Sequence, residues 1–399
     1  MRIFTGSPHP FEGNQAFFDR DSGLLSRGFC KIGVLSEVIT LGSPTRNELP
    51  QMNHATWHQM EDPDWWKSLD LNGLILITWG NWRFGTIVKA ASQAGIRVAQ
   101  MTDTLGNSYP MADFKAHLNA EKAHYWFEPR WKQVTRMLCK LPITLSIRLV
   151  YRDRKDARAI ASSEWFFAPT PGSAERYRKL IRFFCGCEAA KKVRFIPFPV
   201  NFHFKYSGKI KKQNEVVAVG RWDSTQKRTP LLMRTISRSL DTRPNLKFRI
   251  FGRLTPELEE WHRSLSPAHR EKVTLEGMVD NSVLAEGYQR AKVILVSAAY
   301  EGCHNASAEA LCSGASVVGC RSPFLGVLEW HASKNSGRLA DSDSDEALST
   351  ALMHELDAWD RGERDPVTIS HDWASVLHSD RVAQRILSLF SEDPDTPNT

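Results

Sequence analysis

The fold class is decided by residues 293–319, which read VILVSAAYEGCHNASAEALCSGASVVG. Two short apolar runs, 293–296 and 316–318, flank a glycine-containing turn and a helix-length segment that ends at Gly314. A buried strand, a helix and a second buried strand in this order are typical of a parallel sheet with crossover helices. The pattern therefore predicts an α/β fold.

The same alternation recurs along the whole chain, and it predicts two doubly wound domains that face a central cleft. In the second half we predict strands at 216–219, 247–251, 273–275, 293–296 and 316–318, and helices at 230–240, 256–265, 283–290, 306–313 and 345–358. In the first half we predict strands at 2–5, 74–78, 97–101, 158–161 and 193–196, and helices at 83–94 and 171–185.

The domain boundary is predicted in the polar, basic stretch 204–214, whose composition is typical of an exposed linker. This assigns residues 1–205 to an N-terminal domain and 213–370 to a C-terminal domain. Residues 371–390 would form a C-terminal helix that packs back on the N-terminal domain, followed by a disordered polar tail at 391–399.

Composition and charge exclude several classes of protein. The 399 residues are 42% hydrophobic and 24% charged, which is typical of a globular protein. No apolar run reaches the ~20 residues of a membrane span, and the first residues lack the apolar core of a secretory signal. Seven scattered cysteines, an odd count, favour reduced thiols and a cytoplasmic location. A net charge of +7 favours a phosphate-bearing ligand, an anionic membrane or nucleic acid, without ranking them.

The first informative loop follows the strand predicted at 216–219. Gly220 lets the backbone turn close to a ligand, and Arg221 offers a bidentate fork for phosphate. Lys227 and Arg228 follow just before a predicted helix, whose N-terminus also favours anions. A basic surface loop without a ligand accounts for the pattern equally well.

The second loop follows the strand predicted at 293–296. Glu301 falls at the end of the strand and Glu309 lies about one turn into the next helix, so both carboxylates face one side. A carboxylate in this position accepts both hydroxyls of a ribose, while the N–H groups of residues 303–305 face an anion or sugar hydroxyls. The alternative is a structural helix with favourable acidic residues near its start.

In combination, these two loops resemble the retaining GT-B glycosyltransferases of family 4. The resemblance is carried by Gly220-Arg221-x5-Lys227 and, about eighty residues later, by Glu301-Gly-x-x-Asn-x-x-x-Glu-Ala-Leu-x-x-Gly314. Residues 159–164, AIASSE, and 193–201, VRFIPFPVN, are similar to the last strand-and-helix unit of that family's N-terminal domain. The resemblance implies a GT-B fold of two Rossmann-like domains and extends over about residues 158–358.

The resemblance also implies a function, the transfer of a sugar from a nucleotide diphosphate-sugar to a saccharide or lipid-linked acceptor with retention. It implies no cofactor and no metal. Arg221 and Lys227 would neutralise the diphosphate, Glu309 would bind the ribose, and Glu301 would lie against the donor sugar. The donor site as a whole would comprise Gly220, Arg221, Lys227, Glu301, Gly302, Cys303, His304, Asn305 and Glu309.

The N-terminal half departs from the family pattern. Thr102, followed by Asp103, stands where many relatives carry a histidine that contacts the donor sugar. The loop after the first strand, residues 6–14 with Gly13, is longer than the family's glycine-rich loop and contains prolines. A catalytically silent sugar-nucleotide-binding relative therefore remains an alternative. An epimerase or phosphorylase on the same fold and a nucleic-acid-binding protein are further rivals, but the sequence shows neither phosphorylase chemistry nor a nucleic-acid-binding module.

A basic stretch at 130–158 carries nine Lys or Arg against two Asp, an excess equal to the net charge of the chain. Apolar residues alternate with the basic ones, so the stretch is amphipathic. We hypothesise that it docks on the anionic inner face of a membrane. The alternative is a solvated face that covers the N-terminal core.

Three further motifs are assigned structural roles. His54 and His58 are expected on one helix face, but the glutamate of a zinc-protease motif is missing. The repeated acidic residues at 341–345 imitate a metal-binding Asp-x-Asp, and capping of the following helix explains them better. The tryptophans at 65–66 and 79–82 are expected mostly in the core.

Overall fold

The computed structural model describes residues 1–10, 21–42, 52–78, 80–115, 117–118, 130–223, 225–333 and 335–392. The chain divides into two compact units. Unit 1 is Met1–Pro199 together with the segment that begins at Ser379, and unit 2 is Val200–His378.

Each unit is built on one sheet whose strand pairs are all parallel. The strands of unit 1 are β1 Ile3–Pro10, β2 Val38–Leu41, β3 Met52–Ala55, β4 Gly73–Ile77, β5 Arg97–Met101, β6 Trp165–Ala168 and β7 Val193–Phe195. Those of unit 2 are β8 Gln213–Val219, β9 Lys247–Phe251, β10 Val273–Gly277, β11 Ala291–Val296, β12 Ser316–Cys320 and β13 Gly337–Ala340.

The described helices are numbered in chain order. They are α1 Asp21–Lys31, α2 Trp57–Met60, α3 Pro63–Ser68, α4 Gly85–Gln93, α5 Arg130–Ile147, α6 Asp153–Ala161, α7 Pro171–Cys185, α8 Cys187–Ala190, α9 Thr229–Thr242, α10 Pro256–Ser264, α11 Pro267–Arg270, α12 Asn281–Arg290, α13 Asn305–Cys312, α14 Gly326–His331, α15 Asp345–Asp360, α16 Pro366–Leu377 and α17 Ser379–Ser391. A π-helical segment, Arg148–Arg152, joins α5 to α6. None of the described helices has the length and apolar character that crossing a membrane requires.

The order of the strands confirms the predicted doubly wound α/β architecture. It is β3-β2-β1-β4-β5-β6-β7 in unit 1 and β10-β9-β8-β11-β12-β13 in unit 2. In each sheet the order reverses beside the first strand, and open sheets bind ligands beyond the carboxyl ends of the strands at such a point. In unit 2 this point lies between β8 and β11, which pair through Val216 and Val293.

The strands predicted for the second half all occur in unit 2, each within three residues of its predicted ends. Apolar centres make β8, β11 and β12 recognisable, and β11 is buried over five of its six positions. The sequence did not indicate β13, whose residues Gly337–Ala340 lack an apolar run.

Three assignments in the first half need correction. The strand predicted at 158–161 is wrong, because these residues end α6 and the strand of the sheet is β6. In α6 the buried residues 156, 157, 159 and 160 follow a helical spacing, which the short run Ala-Ile-Ala concealed. Residues 6–10, expected in a loop, continue β1. Strands β2 and β3 were not predicted, since polar residues interrupt both.

The stretch 204–214, predicted as a linker, lies within unit 2 and packs on the rest of that unit. The Phe204 side chain is buried and its ring centroid lies 5.9 Å from that of Tyr288. Lys212 Nζ donates to the carbonyl oxygens of Tyr288 and Ser313, at 3.0 and 3.1 Å. The polar composition therefore concealed two side chains that attach this stretch to the unit.

Over the predicted C-terminal helix the structure has two helices. Ser370 Oγ on α16 donates to the Cys312 carbonyl at the end of α13, within unit 2. Helix α17 packs on α1 in unit 1, where Lys31 Nζ lies 3.0 Å from Asp380 Oδ2. Most of the tail predicted to be disordered, residues 393–399, lies outside the described residues.

Candidate functional site

The loop after β8 is held against the loop after β9. Trp222 is buried, and its Nε1 donates to the Phe251 carbonyl at 2.9 Å, while its backbone N–H donates to the Arg253 carbonyl at 3.0 Å. A Cβ at Gly252, whose φ is +104°, would lie 2.0 Å from the Gly220 carbonyl oxygen. Glycine at 252 is therefore required for the close approach of the two loops.

The loop after β8 is also bonded to the loop after β11. Ser297 Oγ donates to the Lys227 carbonyl at 2.6 Å, and the Ala299 N–H donates to the Gln226 carbonyl at 2.8 Å. Arg228 has a left-handed backbone conformation, and its Nε donates to the Ser297 carbonyl at 2.7 Å. These bonds fix the short 3-10 turn Thr225–Lys227 at the carboxyl edge of the sheet.

An ion pair between Lys227 and Glu301 lies where β8 and β11 end. Lys227 Nζ is 2.5 Å from Glu301 Oε1, and the two side chains are only 14% and 12% exposed. The Glu301 N–H donates to the Phe324 carbonyl at 2.9 Å, which fixes the backbone on the carboxylate side. The pair places a cation in a largely water-excluded position, where it interacts strongly with a bound anion.

The N-terminus of α13 is shaped by His304. This residue has φ +42°, and its Nδ1 accepts a hydrogen bond from the Ser307 N–H at 3.2 Å. Ser307 Oγ also lies 2.7 Å from Nδ1 of His331. Burial, with Lys227 and His331 nearby, lowers the pKa of His304 well below 6.5, and burial lowers that of His331 to about 3. Both rings are therefore neutral near pH 7.

Glu309 lies in the second turn of α13 and is half-buried. The hydroxyl of Tyr288, on α12, donates to its Oε2 at 3.3 Å. Tyr288 is fully buried, and burial together with the Glu309 charge raises its pKa well above 10. Tyr288 thus orients this carboxylate, a role that sequence reasoning missed because a lone tyrosine inside a helix carries no motif.

The structure brings most of the predicted donor residues to one edge of unit 2. The residues at or beside the ends of β8 and β11 are Gly220, Arg221, Lys227, Glu301, Gly302, Cys303, His304 and Asn305. Arg221 is exposed, and among the described residues it forms no ion pair. Its guanidinium is therefore available to an anion from solvent.

The residues predicted in the first half have different surroundings. Thr102, directly after β5, is fully buried, and its Oγ1 lies 2.9 Å from Thr104 Oγ1. Thr104 Oγ1 is in turn bonded to the hydroxyl of Tyr177, whose pKa burial raises to about 12. Asp103 follows at the same edge and is half-buried. Gly13 lies outside the described residues.

The histidine pair assigned to one helix face is a wrong prediction, because His54 lies in β3 and His58 in α2. The tryptophans expected in the core differ in their exposure. Trp66 is fully buried, Trp82 is 39% exposed, and position 79 lies outside the described residues.

The acidic repeat before α15 is held by arginines. Asp343 Oδ2 lies 2.7 Å from Arg228 Nη1, and Asp345 pairs with Arg234 and Arg238, each at 3.2 Å. Ser344 Oγ accepts a hydrogen bond from the Ala347 N–H and caps the helix. Capping and ion pairing therefore account for these residues.

Comparison with known proteins gives the same fold over the whole chain and a family match over part of it. The pneumococcal O-GlcNAc transferase GtfA in complex with UDP and GlcNAc matches over 98% of each chain, with a TM-score of 0.62 and 12% identity. The lipopolysaccharide outer core galactosyltransferase WaaB covers 98% of this chain and 99% of its own, with a TM-score of 0.60 and 14% identity. Anabaena HepE in complex with UDP and glucose gives the same coverage, with a TM-score of 0.58 and 10% identity. At these identities the likeness shows the fold.

No curated protein sequence matches the chain. Residues 213–357 match the family model described as glycosyl transferases group 1. This range contains β8, β11 and α13, and with them the Lys227–Glu301 pair and Glu309. This match identifies a group 1 glycosyltransferase region in unit 2, and the chain as a whole has the GT-B fold of its structural matches.

Proposed function

We propose that the chain transfers a sugar from a nucleotide diphosphate-sugar to a saccharide or lipid-linked acceptor, with retention and without a metal ion. The observation that carries the proposal is the Lys227–Glu301 pair, buried beside the N-terminus of α13 at the edge where β8 and β11 end. A cation and a helix N-terminus at one sheet edge favour an anionic ligand such as a diphosphate.

The diphosphate would be bound by Lys227 and Arg221. Negative charge develops on the leaving nucleoside diphosphate, and fixed cations in a water-poor site stabilise it without reorganisation. The bonds between the loops after β8 and β11 already hold Lys227 in place. Arg221 is exposed and unpaired among the described side chains, so it would close on the phosphates from solvent.

The nucleoside and sugar would lie along the loop after β11 and the first turns of α13. The two oxygens of Glu309, oriented by Tyr288, can accept both hydroxyls of a ribose. Glu301 and the backbone of 302–305 would contact the donor sugar, and the acceptor would attack from the face that the diphosphate leaves. Uridine nucleotides are the first candidates, because the GtfA and HepE structures contain UDP.

The donor site is tested by calorimetry with UDP, GDP and ADP. We expect one nucleotide to bind, and we expect Glu309→Ala and Arg221→Ala each to weaken binding at least tenfold, which corresponds to about 1.4 kcal/mol. Glu286→Ala and Arg263→Ala are matched controls, since both side chains are exposed on other helices of unit 2 and should leave affinity unchanged. Unchanged binding in the Glu309 and Arg221 variants would contradict the assignment.

Turnover is tested separately with the matching nucleotide sugars. Slow release of the nucleotide without an acceptor, undiminished by a chelator, is the expected result, and the anomeric configuration of a transferred sugar reports retention. Nucleotide binding without any turnover would instead favour the catalytically silent alternative, which Thr102 at the position of the family histidine suggests.

A further inference from the structure

The two acidic residues of the basic stretch are turned inward. Asp153 is fully buried, and of the described side chains between 131 and 158 it forms the one ion pair, 3.4 Å from Arg148 Nε. Asp156 is also buried and accepts hydrogen bonds from the Trp82 N–H and the Tyr109 hydroxyl, both at 3.2 Å. Neither carboxylate therefore neutralises the outer face of the stretch.

The cations of this stretch stay on the outside. Arg152, Arg154 and Arg158 are exposed, and among the described residues none of them forms an ion pair. Lys155 Nζ lies 4.5 Å from the Trp82 ring centroid and 3.9 Å from that of Tyr151, in cation–π contact with both. The outer face of α6 and of the preceding π-helical segment is thus positively charged.

The same stretch exposes a stripe of large apolar side chains. Leu138 is 71% and Val150 is 74% exposed, values unusual for residues of this kind. The members of the stripe are Trp131, Val134, Leu138, Ile143, Ile147, Val150 and Tyr151. Within α5 and the π-helical segment they form two sets, 131, 134 and 138, then 143, 147, 150 and 151, and the step of five between the sets turns the second about 140° from the first. Large apolar side chains exposed in this number usually mark an interaction surface.

A groove continues this surface between α4 and α6. It has a volume of about 560 Å³, and its charged and aromatic lining consists of Trp82, Lys89, Lys155 and Arg158. None of the described residues that line it is acidic. Lys155 belongs to both features, because it lines the groove and lies on the Tyr151 ring of the stripe.

We propose that residues 131–158 and this groove form one docking surface for an anionic lipid bilayer. The apolar stripe enters the headgroup region, the arginines at 152, 154 and 158 lie at the charged surface, and the groove takes a lipid phosphate. A lipid surface is favoured over a protein partner because exposed cations flank an apolar stripe along one helix, the pattern that binds anionic membranes.

The proposal is tested by co-sedimentation of the full chain with phosphatidylcholine vesicles, with and without phosphatidylglycerol. We expect binding only with the anionic lipid. Charge reversal by Arg152→Glu, Arg154→Glu and Arg158→Glu together should weaken it about a hundredfold. The matched control reverses three exposed lysines of unit 2 that form no ion pair with a described residue, Lys209→Glu, Lys211→Glu and Lys247→Glu. This variant should bind nearly as well as the native chain.

The apolar contribution is tested by Trp131→Gln with Leu138→Gln, using glutamine because it preserves helix propensity. The control is Leu35→Gln with Val367→Gln, two exposed apolar residues elsewhere. Circular dichroism melting shows whether each variant is folded. Equal binding to neutral vesicles, or anionic binding that survives the arginine reversal, would overturn the proposal. So would a native dimer, seen by light scattering, that the Trp131 and Leu138 variant dissociates, because a second copy would then cover the stripe.

Discussion

The two units share a strand order but hold their cations differently. In unit 2, Lys227 and Arg228 lie at the ends of strands, and both are bonded to carboxylates or carbonyls of the neighbouring loops. In unit 1, the arginines at 152, 154 and 158 lie on the outer face of a helix and form no ion pair among the described residues. The same residue types therefore have different surroundings in the two units.

The difference lies in how each arrangement interacts with an anion. A cation fixed by neighbours in a water-poor position stabilises charge at one point with little reorganisation. Exposed cations instead sum their fields over a wide surface, and salt screens that field within about 10 Å. We therefore expect position to matter most at the strand ends of unit 2, and total charge to matter most on the helix of unit 1.

The largest effect on stability is expected at Gly252, where the backbone of unit 2 leaves no room for a side chain. Gly252→Ala would place a methyl group 2.0 Å from the Gly220 carbonyl at a φ of +104°. We expect a loss of about 3 kcal/mol in the free energy of unfolding. Gly33→Ala in unit 1 is the control, because its φ is +80° but nothing lies within 4 Å, so we expect only about 1 kcal/mol. Urea unfolding measures both, and equal losses would show that the close approach is unimportant.

The next effect concerns the fixed cation itself. Lys227→Met should weaken nucleotide binding by about 2 kcal/mol, the worth of a hydrogen bond to a charged group. Glu301→Gln removes the partner charge but keeps the cation, so nucleotide affinity should fall less, while turnover with a nucleotide sugar should fall. Calorimetry measures the nucleotide affinity of each variant, and a donor-hydrolysis assay measures its turnover. A larger loss of nucleotide affinity in the Glu301 variant would reverse the proposed roles.

The two units also differ in how far their structure was predictable. In unit 2 the strands β8 and β11 have uninterrupted apolar centres, and glycine or charged loops mark their ends, so strands and site loops were found together. In unit 1, the polar residues Thr40, Asn53 and His54 interrupt the apolar pattern of β2 and β3, so the sequence does not reveal these strands. The apolar end of α6 has the pattern of a short strand.

Side-chain partners that come from distant elements were not predictable in either unit. Glu309 was found from the motif, but its donor Tyr288 lies on a different helix. Thr102 was recognised as a departure from the family, yet its burial and its bond to Thr104 depend on the packing of Tyr177 from α7. Spacing along the chain carries no information about such contacts.

A pH effect of intermediate size is expected in unit 2. The pKa of His331 is about 3 in the folded chain because of burial, against an ordinary value of 6.5. Below pH 6.5 the unfolded chain takes up a proton that the folded chain does not, so the free energy of unfolding decreases as the pH falls. Lowering the pH from about 7.5 to about 5.5 should cost about 1.4 kcal/mol through this residue.

Urea unfolding of His331→Gln at the two pH values tests this expectation, since the variant should show a pH dependence smaller by that amount. Burial also lowers the pKa of His304, so this residue would contribute to the pH dependence that remains. His371→Gln is the control for the substitution itself, because its side chain is 81% exposed. An unchanged pH dependence in the His331 variant would mean that its ring is accessible to protons in the folded chain.

The smallest effect on the free energy of unfolding is expected when one buried tyrosine hydroxyl is removed from each unit. Tyr288→Phe removes the donor to Glu309, and Tyr177→Phe removes the partner of Thr104. Each should lower the free energy of unfolding by about 1 kcal/mol, since each deletes one buried hydrogen bond. Only Tyr288→Phe should also weaken nucleotide binding, by about threefold to tenfold, because Glu309 then loses the bond that orients it. Calorimetry that found the same weakening in both variants would show that the tyrosines act through overall stability. Equal destabilisation with unequal affinity would instead locate the donor site in unit 2.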